Sequence, residues 1–239
     1  MNEYKADLHI HTCLSYCAEL EMTPRNIVNE SEKRGLNIIG ICDHNSCENV
    51  VSVKKSAQNK NLNIIGGIEI TSKEEVHVLG LFDNEHSLCS MQQIVYDNLI
   101  DTDDEKIFNE QIVVNEIDEV LEFNKKLLIG ATKLSVEKIV DHIHKLGGIA
   151  IASHVDRERF GIISQLGFIP DGLVLDALEV TNKENKPSLC SYSLPIVTFS
   201  DAHSLKEIGK NHTKFYMEGI SFEEIKKSLL GEDGRRIEI

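Results

Sequence analysis

The stretch Asp-Leu-His-Ile-His-Thr at residues 7–12 holds the first side chains in the chain whose types and spacing could perform chemistry. Side chains on a strand point alternately to its two faces, so His9 and His11 share one face. Two residues of strand separate their Cα atoms by roughly 6.6 Å. From that spacing both imidazoles can reach one metal ion about 2.1 Å from each nitrogen. A lone His-x-His pair also fits an exposed strand edge, so its meaning depends on the rest of the chain.

Several apolar runs further along the chain end in histidine or acidic residues. The runs at 36–42, 62–70, 149–154 and 194–199 are typical of strands buried on both faces. The residues at or just beyond their ends are Asp43, His44, Glu69, His154, Asp201 and His203. Strand and helix patterns alternate, which indicates parallel pairing, and a parallel α/β barrel gathers functional groups at the carboxyl ends of its strands. We therefore expect these side chains to share one rim.

His77 differs from the other histidines because it begins an apolar run rather than ending one. Residues 71–75 predict a turn, and a hairpin centred near Lys73 would place His77 opposite Glu69. This pairing would bring a further imidazole to the same rim.

The chemistry that such a cluster favours is metal-dependent hydrolysis. Histidines and carboxylates without an obligatory thiolate suit Zn, Mn or Fe, and spacing does not choose among these metals. The cluster contains more potential ligands than one ion can bind. A carboxylate can bridge two cations about 3.5–4 Å apart, and such a pair can activate water and neutralise the oxygens of a phosphoryl transfer. The sequence contains no Gly-x-Ser-x-Gly segment and no Gly-rich phosphate loop that would indicate a different chemistry.

Helices are predicted between the strands. One begins at Thr23-Pro24 and ends at Gly35, and others cover 46–60 and 135–146. Helical spacing of Val113, Ile117, Val120 and Leu121 predicts an amphipathic outer helix, and residues 101–105 are expected to form a mobile loop. Ser-x-x-Glu capping boxes at 204–207 and 221–224 predict two late helices, and 236–239 predicts a final strand. The run at 173–180 carries Glu179 near its end, to which the sequence assigns no role.

Length, charge and cysteine content restrict the class of protein. The chain has 239 residues and a formal charge of −14, which argues against sequence-independent nucleic-acid binding and against docking on anionic membranes. The six cysteines show no dense disulfide framework, so we expect them to be reduced thiols. No apolar run reaches 18 residues. The sequence predicts a single cytoplasmic domain over 1–239, with no membrane partner and no nucleic-acid partner beyond a short oligonucleotide substrate.

Five segments together resemble the successive motifs of the PHP family, which is named for polymerase and histidinol phosphatase. They are Asp-Leu-His-Ile-His-Thr at 7–12, Cys-Asp-His-Asn at 42–45, Gly-Ile-Glu-Ile at 67–70, Ser-His at 153–154 and Ser-Asp-Ala-His at 200–203. The resemblance spans most of the chain. It implies a distorted (β/α)7 barrel of the PHP type, two or three divalent metal ions, and hydrolysis of phosphoesters.

Position by position, the resemblance implies a set of metal ligands. Its members are His9, His11 and Asp201 for the first ion, Glu69 as a bridge, His77 and His154 for the second ion, and His44 and His203 for the third. Asp7 and Asp43 would orient neighbouring imidazoles. The chain departs from the family at 15–18, where family members often place Asp or His. Cys17 stands near that position as a candidate thiolate ligand, with Glu19 or Glu21 as alternatives.

The predicted activity is hydrolysis of a phosphoester in a small phosphorylated metabolite or nucleotide by a metal-activated water. Asp201, His203 and Arg157 are the candidate catalytic residues. Arg157 follows His154 by three residues, so its guanidinium could grip phosphate oxygens, or it could simply be a solvated loop arginine. Two alternatives remain at this point: a metal-dependent C–N hydrolase of the amidohydrolase type, and a catalytically silent metal-binding interaction domain.

Overall fold

The computed structural model describes residues 1–99, 110–185, 189 and 192–239. Its strands are β1 (Asn2–Ile10), β2 (Ile38–Ile41), β3 (Asn63–Thr71), β4 (His77–Phe82), β5 (Ile112–Val114), β6 (Val120–Phe123), β7 (Ile149–Ala152), β8 (Ala177–Glu179), β9 (Ile196–Val197), β10 (Thr213–Met217) and β11 (Arg236–Glu238). Its α-helices are α1 (Pro24–Lys33), α2 (Val50–Ser56), α3 (Glu85–Tyr96), α4 (Val136–Lys145), α5 (Ile162–Leu166) and α6 (Phe222–Leu230).

Nine of these strands form one sheet in the order β11-β10-β1-β2-β3-β4-β7-β8-β9. The pairs β1–β2, β2–β3, β7–β8 and β8–β9 are parallel, as the alternation of strand and helix patterns predicts. Beyond β9 the chain returns to β1, where Ile10 forms a parallel bridge with Ala202. The sheet is therefore a nearly closed barrel. The predicted barrel type is confirmed, although the described sheet has nine strands rather than seven.

Helices α1–α5 pack in one apolar cluster of the sheet and α6 packs in another, and the side chains of the strands divide between the two. On β4, Val78 packs in the apolar cluster that contains the helix residues Ile27, Val53 and Ile143, whereas Leu79 belongs to a second cluster. The second cluster joins side chains from β1, β4, β7 and β10 to three residues of α6. Because alternate residues are buried on both faces, the strands have little freedom to shift register, and their carboxyl ends are held at one rim.

β1 and β2 approach each other closely, which fixes the two strands that carry the first motifs. A Cβ added to Gly40 would lie 2.4 Å from the carbonyl oxygen of Leu8, so no larger residue fits there. Helix α1 begins after Thr23 and is followed by Gly35 with φ +70°, as predicted. The late helix α6 is capped by Ser221, also as predicted.

The predicted hairpin between β3 and β4 is present, but its predicted register is wrong. Thr71 lies opposite His77, and Glu69 lies opposite Leu79. The turn is centred one residue later than expected, and Glu75 adopts a left-handed conformation with φ 60°. Glu69 and His77 nevertheless stay on the same face because their offset in register is an even number of residues.

The predicted outer helix around Val113–Leu121 is wrong, because this segment forms the antiparallel hairpin β5–β6. The side chain of Asn115 accepts hydrogen bonds from the backbone N–H groups of Ile117 and Glu119, which competes with helix formation. Asn49 then pairs with the backbone of Ile112 and Val114.

Some smaller predictions also differ from the structure. The segment 204–207 forms turns rather than a helix, and the 46–60 helix is shorter than expected. The predicted mobile loop at 101–105 lies outside the described residues. Within the described part of the chain, no helix combines the length and the apolar character needed to cross a bilayer.

Candidate metal centre

The carboxylate of Glu69 lies at the centre of the rim cluster and is almost fully buried. Five imidazole nitrogens surround its two oxygens. The distances from Oε1 are 3.0 Å to His77, 3.3 Å to His9 and 3.3 Å to His154, and those from Oε2 are 3.0 Å to His44 and 3.5 Å to His11. Neither oxygen has a hydrogen-bond partner within the described residues. Burying an unpaired charge costs free energy, so a buried carboxylate without hydrogen-bond partners is a good candidate to bind a cation.

A first group of ligand atoms joins β1 to the loop after β9. The Nε2 atoms of His9 and His11 lie 3.2 Å apart, and Oδ1 of Asp201 is 3.3 Å and 3.1 Å from them. Two nitrogens each about 2.1 Å from one ion and separated by this distance subtend an angle of about 100° at the ion, close to tetrahedral geometry. Together with Glu69 these four residues offer ligand atoms that all lie within 4.8 Å of one another.

A second group forms where the β3–β4 hairpin meets the end of β7. Nδ1 of His77 and Nε2 of His154 are 3.3 Å apart, and both face the same oxygen of Glu69. His44 lies next to this group, because its ligand atom is within 4.8 Å of those of Glu69 and His77. The structure therefore brings the predicted residues of the second ion together around the central carboxylate.

A third group consists of imidazoles and a nearby thiol. Ligand nitrogens of His11, His44 and His203 lie within 4.8 Å of one another. Cys17 is exposed and lines the same cavity as His203 and His44. Burial raises the pKa of the Cys17 thiol, but these two imidazoles lower it overall to about 6. The side chain of Cys17 is thus placed beside the third group, although it is not among the mutually close atoms.

The buried charges of the cluster are strongly coupled. Burial raises the pKa of Glu69, but His77 and His9 lower it well below its usual value. Burial lowers the pKa of His77, and the net value is about 4. Burial also lowers the pKa of His9, but Glu179 and Asp201 raise it well above its usual value, so the imidazoles of the cluster do not share one protonation state. This nitrogen and oxygen donor set fits Zn, Mn or Fe.

Two candidate ligand residues have backbone conformations that are rare for residues other than glycine. His154 has φ 29° and Asp201 has φ 48°. Such conformations cost of order 1–3 kcal/mol each and persist only where the surroundings enforce them. His154 lies two residues after β7 and Asp201 four residues after β9, and both side chains face the centre of the rim.

The orientation of His11 depends on Ser15 and Asp43. Nδ1 of His11 lies 2.9 Å from Oγ of Ser15, and that hydroxyl donates to Oδ1 of Asp43 at 2.7 Å. Asp43 thus acts on an imidazole, but only through Ser15, which the sequence did not single out. The expected role of Asp7 is wrong, because its carboxylate accepts the backbone N–H groups of Ser200 and Gly209 rather than an imidazole.

Glu179 is a carboxylate of this centre to which sequence reasoning assigned no role. Its fully buried carboxylate lies 3.0 Å from Nδ1 of His9 and 3.2 Å from the backbone nitrogen of His154. The available signal was its place at the end of β8, the same position that the predicted ligands occupy on other strands. The run at 173–180 was too irregular to make that position recognisable.

A cavity of about 350 Å³ opens onto the ligand cluster. Nη1 of Arg157 lies 2.5 Å from Oδ2 of Asp201, so the predicted arginine does reach the site, through a ligand residue. Arg159 and Ile129 also line the cavity. Phe160 stacks on the ring of His77 with a centroid separation of 4.3 Å and an interplanar angle of 11°. The cavity thus combines two guanidinium groups with two apolar side chains.

Comparison with known sequences gives a family and two informative relatives. The PHP domain profile matches residues 7–158. The uncharacterised protein YqxK of Bacillus subtilis is 25% identical over 99% of this chain and 64% of its own length. A 5'-3' exoribonuclease of Haemophilus influenzae is 29% identical over 34% of this chain and 30% of its own length. The chain therefore spans less than two thirds of either relative.

Solved structures share the fold at low sequence identity. Endonuclease Q from Pyrococcus furiosus, described as a lesion-specific endonuclease, superposes with a TM-score of 0.75 and 20% identity, covering 99% of this chain and 58% of the other. A structure described as a putative metal-dependent phosphoesterase from Bifidobacterium adolescentis has a TM-score of 0.61 and 18% identity, covering 94% and 95%.

One of these comparisons corrects the expectation about partners. Endonuclease Q has also been solved with a 27-mer duplex substrate that carries an abasic lesion at the active site, with a TM-score of 0.75, 20% identity and coverage of 98% of this chain and 58% of the other. The expectation that nucleic acid is excluded as a partner, apart from a short oligonucleotide substrate, is therefore wrong for this fold. The net charge of −14 describes the whole chain and does not describe the rim, where Arg157 and Arg159 lie.

Proposed function

Because the chain belongs to the PHP domain family, we propose that it hydrolyses phosphoesters with a metal centre built around Glu69. The observation that carries this proposal is the burial of that carboxylate, with both oxygens unpaired, among five imidazole nitrogens at 3.0–3.5 Å. Divalent ions bound there would supply activation of a water molecule and neutralisation of charge on the phosphoryl oxygens.

We propose three ligand sets for these ions. They are His9, His11, Asp201 and Glu69 for the first, Glu69, His77 and His154 for the second, and His44, His203 and Cys17 for the third. The close approach of ligand atoms supports the first two sets, and the third is supported by the proximity of His44 to His203 and by the lowered pKa of the neighbouring Cys17 thiol. Zn, Mn and Fe all suit the donor atoms.

The proposed substrate is a phosphoester of a nucleotide or of a nucleic acid. Two features of the cavity support this class. Arg157 and Arg159 offer guanidinium groups that match phosphate oxygens, and Phe160 and Ile129 offer apolar surface for a base or sugar. The exoribonuclease and Endonuclease Q are consistent with the same class. His203, which is about one quarter exposed at the side chain, is the proposed ligand residue best placed to contact substrate.

A panel of phosphoesters tests this function directly. Protein loaded with Mn²⁺ or Zn²⁺ would be offered a chromogenic phosphomonoester, nucleoside monophosphates, single-stranded oligonucleotides and a duplex with one abasic site. We expect release of phosphate or shortened strands from at least one class, and no release after chelation. Turnover of amide substrates without any phosphoester cleavage would instead favour a C–N hydrolase. Failure on every phosphoester would contradict the proposal.

Arg157 is expected to act on substrate phosphate and on Asp201 together. Its Nη1 bonds Asp201, while the side chain remains 42% exposed toward the cavity, which leaves other guanidinium nitrogens available. Arg157→Ala should lower kcat/KM by about 10- to 100-fold, in the range expected for a residue that supports a metal ligand. The number of bound ions should not change. Steady-state kinetics and metal analysis would measure both effects.

The control for this prediction is Arg25→Ala, since Arg25 is an exposed arginine at the start of α1. Arg157→Lys should recover only part of the activity, because an ammonium group cannot make the bidentate contact of a guanidinium. Kinetics equal to those of the parent on the best substrate would show that Arg157 is merely a solvated loop residue.

Cys17 is expected to complete the third ligand set. Cys17→Ser should remove one ion per chain at a metal concentration that saturates the other two, because a hydroxyl is a much poorer ligand than a thiolate. Elemental analysis after gel filtration would count the ions. Cys89→Ser is the matched control, since Cys89 is also exposed but lies on α3. Unchanged stoichiometry in Cys17→Ser would assign the third set to other residues.

A further inference from the structure

The geometry points to Glu179 as a positioning residue that holds the imidazole of His9 and the backbone of His154 in place for metal binding. This inference rests on the proposed metal centre. It concerns a residue that is not in any of the three ligand sets, and that instead connects the first set to the second.

The contacts of the Glu179 side chain are short and fully buried. Its Oε1 and Oε2 atoms lie 3.1 Å and 3.0 Å from Nδ1 of His9, and both side chains have no exposed surface. Oε2 also accepts the backbone N–H of His154 at 3.2 Å. One carboxylate therefore serves an imidazole from β1 and a backbone amide that follows β7.

The contact with His9 selects one tautomer of its ring. An ionised carboxylate only accepts hydrogen bonds, so the hydrogen of the neutral imidazole must be on Nδ1. Nε2 then presents its lone pair toward Glu69 and Asp201, each of which lies 3.3 Å away. A metal-binding histidine commonly donates its other ring N–H to a carboxylate in this way, which fixes both the ring orientation and the tautomer.

The contact with His154 holds a strained backbone. His154 has φ 29°, and the following residue, Val155, donates its N–H to the backbone oxygen of Glu179 at 2.9 Å. The side chain and the backbone of Glu179 thus accept hydrogen bonds from two consecutive backbone amides, those of His154 and Val155. With the backbone held in this way, the ring of His154 faces His77 and Glu69. Its Nε2 lies 3.3 Å from Nδ1 of His77 and 3.3 Å from Oε1 of Glu69.

Replacing the carboxylate by an amide should disturb both contacts. Gln at position 179 has one oxygen acceptor in place of two, and its NH₂ group cannot accept the N–H of either His9 or His154. In metal-reconstituted protein, Glu179→Gln should weaken Mn²⁺ binding by about 10- to 100-fold, the range reported for partners of metal ligands. At saturating Mn²⁺ the fall in kcat should be smaller than the fall in Mn²⁺ affinity, because the ligands themselves are still present.

The test measures Mn²⁺ dissociation constants by isothermal titration calorimetry, with the exposed Glu184→Gln as the matched control. Thermal unfolding of the chelated proteins separates positioning from folding, since a residue that only supports the fold would lower the Tm without a selective loss of metal affinity. A dissociation constant within twofold of the parent would overturn the inference. Binding is read without turnover, so a chain that binds Mn²⁺ normally but cleaves no phosphoester would contradict only the proposed function.

A second measurement reads the tautomer in the parent protein itself. The ¹⁵N chemical shifts of the imidazoles in Zn²⁺-loaded protein report the tautomer of each histidine, with His9 assigned by comparison with His9→Ala. We expect hydrogen on Nδ1 of His9 and the metal on Nε2. Hydrogen on Nε2, or a metal on Nδ1, would overturn the inference.

Discussion

Glu69→Gln should lower kcat/KM for the best phosphoester on the order of 10³-fold or more, and should reduce the number of bound ions by at least two. The reason is the central position of this carboxylate, whose two oxygens face five imidazole nitrogens. An amide can offer only one neutral oxygen, so it cannot bridge two cations. Loss of even one preorganised electrostatic contact typically costs about 10²–10³ in rate.

Steady-state kinetics and elemental analysis on the same preparation would measure this result. Glu223→Gln is the control, since Glu223 is an exposed carboxylate in the first turn of α6. The variant should fold, because a neutral amide in the metal-free site is less costly to bury than an unpaired charge. If the Glu69→Gln protein kept the turnover and the ion count of the parent, Glu69 would not be a ligand of the metal centre.

Chelation should have the second large effect, on turnover and on stability together. An ion present at 100 times its dissociation constant stabilises the folded state by about 2.7 kcal/mol. For a chain of this size each kcal/mol corresponds to about 2–4 °C in Tm. Removal of one such ion should therefore lower the Tm by about 5–10 °C, and removal of more ions should lower it further, while hydrolysis stops.

Calorimetry before chelation, after chelation and after reloading with Mn²⁺ would test this coupling. Both the Tm and the rate should return on reloading. The shift should be much smaller in Glu69→Gln, which serves as the internal control because it lacks the central bridge. Hydrolysis that survives complete chelation would contradict a metal-dependent mechanism, whatever the change in Tm.

The side chains that meet at the rim could be predicted because each lies at a recognisable place in the sequence. Glu69 belongs to an apolar run, His154 ends one and Asp201 lies two residues beyond one, so the barrel geometry places them at a common rim. The His9–His11 pair follows from strand periodicity alone. The hairpin that brings His77 to Glu69 was also predictable, although its register depends on a turn conformation at Glu75 that the sequence does not specify.

The remaining features depend on contacts between distant segments. Glu179 lies 170 residues from His9 along the chain, and its strand is three residues long with no clear alternation. The hairpin β5–β6 is stabilised by Asn49, more than 60 residues earlier, which outweighs the helical spacing of its apolar residues. The expectation about nucleic acid was wrong because it relied on the net charge of the whole chain. The charge at the rim is a local property that this sum does not reveal.

Anomalous diffraction from crystals grown in saturating Mn²⁺ would test the central claim most directly, because it locates the ions independently of any assay. The account predicts a peak for each ligand set, with two of the peaks at coordinating distance from the carboxylate of Glu69. A third peak should lie near His44, His203 and Cys17. The absence of any peak beside Glu69, in protein that still cleaves phosphoesters, would contradict the account.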